Sequence, residues 1–106
     1  MRNKLRRFEI LLPLQFNDGR EVPGGLIADT ISELETEFGA GSSETQVLQG
    51  IWRHEGELYR DNLMRVSVDV EDSPASFEFF AAFKQRLQQR FEQLEIWITT
   101  HPIEAV

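Results

Sequence analysis

The stretch that most restricts how this chain can fold runs from Thr45 to Val70, TQVLQGIWRHEGELYRDNLMRVSVDV. Two runs rich in β-branched and aromatic residues flank Glu55-Gly56, which reads as a two-residue hairpin turn. A loop of that length fixes the pairing: His54 faces Glu57, Trp52 faces Tyr59, Leu48 faces Leu63 and Val47 faces Met64. Directly opposed residues share a face, and side chains alternate along each strand. One face then carries Val47, Ile51, Leu58, Met64, Val66, Val68 and Val70, a plain core face. The other carries Leu48, Trp52, Tyr59, Leu63 and Arg65, which is less polar than a solvated sheet face should be. A bulge near Asp61 would shift this parity.

The flanking segments are read from periodicity. In Arg7 to Phe16, residues Phe8, Ile10, Leu12, Leu14 and Phe16 fall on one face, which predicts a strand with Pro13 near its end. Asn17-Asp18-Gly19 is a turn. Ile27, Ile31, Leu34 and Phe38 make one helical stripe over Pro23 to Phe38, and Gly39 suits a left-handed cap. The outer face of this helix is acidic, with Asp29, Glu33, Glu35 and Glu37. Gly39 to Glu44 reads as a loop. Asp72 or Ser73 can cap a second helix, with Pro74 in its first turn, and the helix is expected over Ser73 to Gln93. Phe77, Phe80, Phe83, Leu87 and Phe91 share its core side, and Lys84, Arg86 and Arg90 make it basic. A last strand is expected over Leu94 to His101. Leu94, Ile96 and Ile98 face inward, Trp97 and His101 face outward, and Pro102 ends it.

At 106 residues the chain is one domain, residues 1–106. Without cysteine it has neither disulfides nor thiolate metal sites. No apolar run approaches the roughly 20 residues of a membrane span, and the start, MRNKLRRFEI, lacks the apolar region of a secretory leader. A cytoplasmic location is expected. The net charge of −7 opposes a general nucleic-acid binder, which needs a basic footprint. Arg2, Lys4, Arg6 and Arg7 form a basic lead-in to the first strand, read as a solvated terminus.

The order strand, helix, strand, strand, helix, strand resembles the ferredoxin-like βαββαβ superfamily along nearly the whole chain. The chain also looks like small bacterial proteins of unassigned activity that carry a G-x-W-R segment, here Gly50 to Arg53, ahead of a Leu-Tyr strand start. The superfamily resemblance implies a four-stranded antiparallel sheet in the order 4-1-3-2, with both helices on one face. The open face would then hold Leu11, Leu48, Trp52, Tyr59, Leu63 and Trp97, a band that asks for a partner.

No catalytic constellation is visible: no nucleophile has an adjacent base. His54 and His101 fall on opposite edges in the implied order, roughly 14 Å apart, too far to share one metal ion at bonds of about 2 Å. A metal site across a dimer stays open, and no cofactor is expected. Asp61, Arg65 and His101 are the candidate polar site, and Arg65 is expected to pair across strands with Glu9. The central strands offer no outward aromatic pair for base stacking, which opposes RNA binding. The leading expectation is a non-enzymatic interaction or regulatory module that homodimerises through its open face, with an unidentified protein as the other possible partner. The alternative is a small-molecule-binding protein or enzyme resembling dimeric α/β-barrel proteins.

Overall fold

The computed structural model describes residues 3–39, 42–43 and 47–106, and the side chains of all of these but Asn3, Ser42, Ser43 and Trp52. Arg2, the expected start of the hairpin at Thr45 and half of the loop before it lie outside the described residues. The elements are β1 (Asn3–Pro13), α1 (Gly24–Phe38), β2 (Ser42–Ser43), β3 (Leu48–His54), β4 (Glu57–Glu71), α2 (Pro74–Arg90) and β5 (Ile98–Ala105). They form a ferredoxin-like α+β sandwich. The sheet is antiparallel and runs β5, β1, β4, with β2 and β3 both pairing with the far side of β4. β2 falls in the stretch read as a loop, Gly39 to Glu44, and it pairs with β4, so the sheet has five strands rather than four.

The hairpin register is the one the turn dictates. His54 pairs with Glu57, Trp52 with Tyr59 and Leu48 with Leu63, with no bulge at Asp61. Both loop residues have positive φ, 49° at Glu55 and 81° at Gly56, the handedness that matches the twist of the flanking strands.

The core lies between the sheet and the helices. Phe8, Ile10 and Leu12 from β1, Val66, Val68 and Val70 from β4, Leu34 from α1, and Phe80, Phe83 and Leu87 from α2 are buried. Phe8 stacks on Phe80 at 4.0 Å between centroids, and Phe38 packs against both Phe79 and Phe80. Ser73 caps α2 by accepting from the Ser76 N–H, and Gly39 closes α1 with φ 73°. Phe77, placed in the core by periodicity, is instead 44% exposed at the margin, where the Arg6 guanidinium lies 4.9 Å from its ring centroid.

Four further expectations are corrected. Val47, Ile51 and Leu58 are not core: they are exposed, Ile51 to 61%. β1 pairs with β4 only from Leu63 onward, so among the described residues the hairpin beyond that point is a two-stranded arm with no third strand beside it. The last strand begins later than expected, and Leu94 is 95% exposed. It also runs through Pro102, which pairs with Arg6. β5 is an edge strand, and a proline there needs no ladder partner on its open side. Finally, the basic residues near the start are not a solvated tail. Lys4, Arg6 and Arg7 belong to β1, and Arg6 and Arg7 bond Asp72 and Asp69.

The acidic and basic helices meet as their charges suggest. Arg90 donates to Glu33 and, at 2.9 Å, to the hydroxyl of Thr30, a buried residue whose own hydroxyl donates to the Leu26 carbonyl. Arg86 stands 3.8 Å from Glu33 and is more exposed. Arg90→Ala is expected to lower stability by about 1–2 kcal/mol, because charge-assisted bonds and a packed stem go with it. Arg86→Ala should cost under about 1 kcal/mol, as exposed pairs do. Urea denaturation of both variants checks this, and equal losses would contradict the bridging role of Arg90.

Candidate functional site

The sheet face away from the helices is built by alternate positions of four strands, β5, β1, β4 and β3, and the register sorts them into rows. His101, Arg7 and Asp69 form one row, and Thr99, Glu9 and Ser67 the next. Leu11 and Arg65 follow, with Trp97 beside Leu11, whose N–H donates to the Trp97 carbonyl at 3.0 Å. Pro13, Leu63 and Leu48 complete the last row. One end of the face is thus polar and the other apolar.

The polar end is tied by a bidentate pair: Arg7 donates to both carboxylate oxygens of Asp69, at 2.7 and 2.9 Å. These bonds hold the Asp69 carboxyl below its usual range, with the Arg7 and His101 charges acting in the same direction. A carboxyl with a depressed pKa stabilises the fold above its unfolded value, and that contribution is lost as pH falls through the folded value. Asp69→Asn should therefore flatten the acid limb of the stability curve below about pH 4. An unchanged acid limb by urea denaturation across pH would show that the pair carries no linkage. Arg65 lies 3.9 Å from Glu9, the cross-strand pair expected from the sequence.

The apolar end holds the predicted interface residues. Leu11, Leu48 and Leu63 are half-buried, Tyr59 is 38% exposed and Trp97 is 61% exposed. Trp52 stands across from Tyr59 in the ladder. At this end lies a cleft of about 470 Å³, where the root of the arm, the end of β1 and the 93–97 segment meet. Leu11, Leu63 and Trp97 supply its apolar walls, with Asp61, Gln93 and Glu95 among its polar positions. Gly50 keeps room for Leu63: a Cβ there would stand 2.9 Å from Leu63 Cδ1. Glu95 is bonded by Lys84 at 2.6 Å, which keeps its carboxyl below the usual range.

The polar trio Asp61, Arg65 and His101 is not brought together. Asp61 and Arg65 are four residues apart along β4, roughly 13 Å, and the row of His101 lies a similar distance further on. Sequence reasoning missed the Arg7–Asp69–His101 row, although matching the parity of the first strand to that of the hairpin would have placed Arg7 and Asp69 on one face. His54 sits at the arm's tip and His101 in β5. Among the described residues, no group of three or more His, Asp or Glu side chains stands placed to hold a metal ion. The groove between the helices, lined by Asp29, Glu33, Glu37, Phe79, Arg86 and Arg90, is polar, and its two arginines are both engaged by Glu33. Among the described residues no helix is long and apolar enough to cross a membrane.

No protein-family model matches this chain, and no curated protein sequence does either. Solved structures do. A phage SAM lyase in complex with S-methyl-5'-thioadenosine superposes with a TM-score of 0.69 at 14% identity, covering 96% of this chain and 89% of the other. The divalent cation tolerance protein CutA1 from Thermus thermophilus gives 0.65 at 17% identity, covering 93% and 84%. CutA from Synechococcus elongatus gives 0.63 at 14%, covering 96% and 80%. At these identities the likeness establishes the fold.

Proposed function

We propose that this chain is a cytoplasmic interaction module that pairs with a second copy of itself through the apolar end of its open sheet face. The observation that carries the reading is the exposure of Trp97 beside Leu11 and Leu63, on a face that the helices leave bare. Burying one large apolar side chain contributes about 1.5–3 kcal/mol. A closed two-fold pairing lets one patch meet itself, so each such residue counts twice. The arm adds to the case. An isolated two-stranded ribbon is marginal in water, and this one exposes Ile51 and Leu58 on one face and Tyr59 on the other. Sedimentation equilibrium of the wild type and of Trp97→Asp tests the reading. A dimer that the substitution splits into folded protomers is expected. A wild-type monomer across the micromolar range overturns it.

The cleft favours a second reading, small-molecule binding. Its volume falls within the range of ligand pockets, and its walls combine apolar surface with a few polar groups. The phage SAM lyase, of similar fold, was solved with a nucleoside-sized ligand bound.

A further inference from the structure

α1 and α2 end in the same left-handed backbone conformation, but on different residue types. α1 closes on Gly39, with φ 73°, a residue that enters this region without penalty. α2 ends at Arg90, and Glu92 takes the left-handed place, with φ 54°. The closing bonds are those of a Schellman arrangement. The Gln93 N–H donates to the Gln88 carbonyl at 2.8 Å, and the Glu92 N–H to the Gln89 carbonyl at 3.2 Å. A residue with a Cβ is strained there.

What Glu92 supplies in place of a glycine is a carboxylate, and it stands 3.4 Å from the Arg20 guanidinium. Arg20 is itself fixed within the β1–α1 loop. Asp18 accepts from its backbone N–H at 3.1 Å and from its guanidinium at 2.6 Å. Its carbonyl accepts from the Phe16 N–H at 2.8 Å, and its guanidinium lies 4.6 Å from the Phe16 ring centroid. Phe16 and Phe91, the residue before Glu92, are both buried. The loop and the end of α2 are thus joined by a clasp of opposite charges set beside two anchored rings. The connection that leaves Glu92, residues 93–97, carries the exposed Trp97.

We propose that the Arg20–Glu92 clasp is a salt-sensitive latch that holds the 93–97 segment, and with it Trp97, in the position used for pairing. Glu92 is a positioning residue in this role, acting through the backbone of the segment. The pairing half of the inference rests on the self-association reading, and the latch half does not. Both charges are more than half exposed, so their attraction is modest and screened by salt. Gln88 and Lys84 also reach the segment, at the Leu94 carbonyl (2.7 Å) and the Glu95 carboxylate (2.6 Å). The clasp therefore adjusts the segment without being needed to fold it.

Hydrogen exchange over residues 93–97 tests the latch, followed by mass spectrometry of the full chain at concentrations where sedimentation shows single protomers. Arg20→Gln and Glu92→Gln each remove one charge and leave the left-handed residue in place. Each is expected to speed exchange about threefold in about 50 mM salt, and the double variant no further, because both break one contact. In about 0.5 M salt the wild type should rise toward the variants, which change little. The dimer dissociation constant should increase between about twofold and ninefold in each variant, the upper value being the threefold change taken in both protomers. Glu92→Gly in the Arg20→Gln background, where no clasp remains, should raise the folding constant in urea about three- to tenfold by removing the strain.

Unchanged exchange in both charge variants, with native circular dichroism, overturns the latch. So do fully additive effects in the double variant, since each charge would then act elsewhere. Faster exchange with an unchanged dimer constant overturns the positioning of Trp97 and upholds the latch. A folding constant that Glu92→Gly does not raise overturns the strain assigned to Glu92. If the wild type never dimerises, the pairing half falls with the self-association reading, and exchange still decides the latch.

Discussion

Phe83→Ala is expected to destabilise the fold by about 3–5 kcal/mol, the cost of emptying a large aromatic site in a core that cannot fully collapse. Phe83 is fully buried on α2, within 5.3 Å of the Phe79 ring centroid and 6.3 Å of that of Phe80. The Arg86 guanidinium covers its outer side at 5.1 Å. Truncation would therefore loosen several rings at once. Domains of this size hold only about 5–15 kcal/mol in total, so the variant should sit near its unfolding midpoint at modest urea concentrations. Phe77→Ala is the control. Nearly half exposed, it should lose about 1 kcal/mol or less, part of it the contact with Arg6. Similar losses for the two variants in urea would mean that α2 presents a different face to the sheet.

Ile10→Asp should abolish folding, while Leu11→Asp, one residue along the same strand, should leave it intact. Ile10 is fully buried in the central strand, paired with Val66 on one side and Ile98 on the other. A carboxylate there has neither water nor a cation, and its desolvation costs at least several kcal/mol. That is a large share of the available stability. The Leu11 side chain points the other way, onto the open face. A charge at that position remains near water in the protomer. Its expected effects are on association, by breaking the apolar patch, and on the cleft, by adding a third carboxylate to a lining that already holds Asp61 and Glu95. Circular dichroism at 25 °C distinguishes the pair. If both variants unfold, the face carrying Leu11 is buried within the protomer and the proposal of an open interaction surface fails. If both fold, the assignment of faces along β1 is wrong.

How the sequence compares with the structure depends on whether a property is local. Strand alternation and helical periodicity are local, because they follow from the backbone geometry of each element. That is why Phe8, Ile10 and Leu12 could be set apart from Leu11, and why the stripe ending at Phe38 and the Ser73 cap were legible. The two-residue loop at Glu55-Gly56 was equally decisive, since a turn of fixed length leaves one register. The same parity placed Leu11, Leu63 and Trp97 together on the open face, so the apolar half of the candidate site was readable in advance.

What only the tertiary structure decided was where neighbours run out. Ile51 and Leu58 have the same parity as Val66 and Val68, yet they are exposed and the valines are buried. The difference is that β1 ends at Pro13, opposite Leu63, and beyond it no further strand among the described residues flanks the hairpin. No local pattern encodes the end of another strand. Pro102 stayed in a strand because β5 is an edge, again a property of its neighbours. The basic start became structural because antiparallel pairing set Arg7 opposite Asp69, 62 residues away. Asp61 shares one cleft with Gln93 and Glu95 although it lies in a separate segment, and burial and charge there depend on how the two segments meet. Side-chain direction is set by each residue's own backbone and was open to reading, whereas burial is set by what stands opposite, which the folded chain alone supplies.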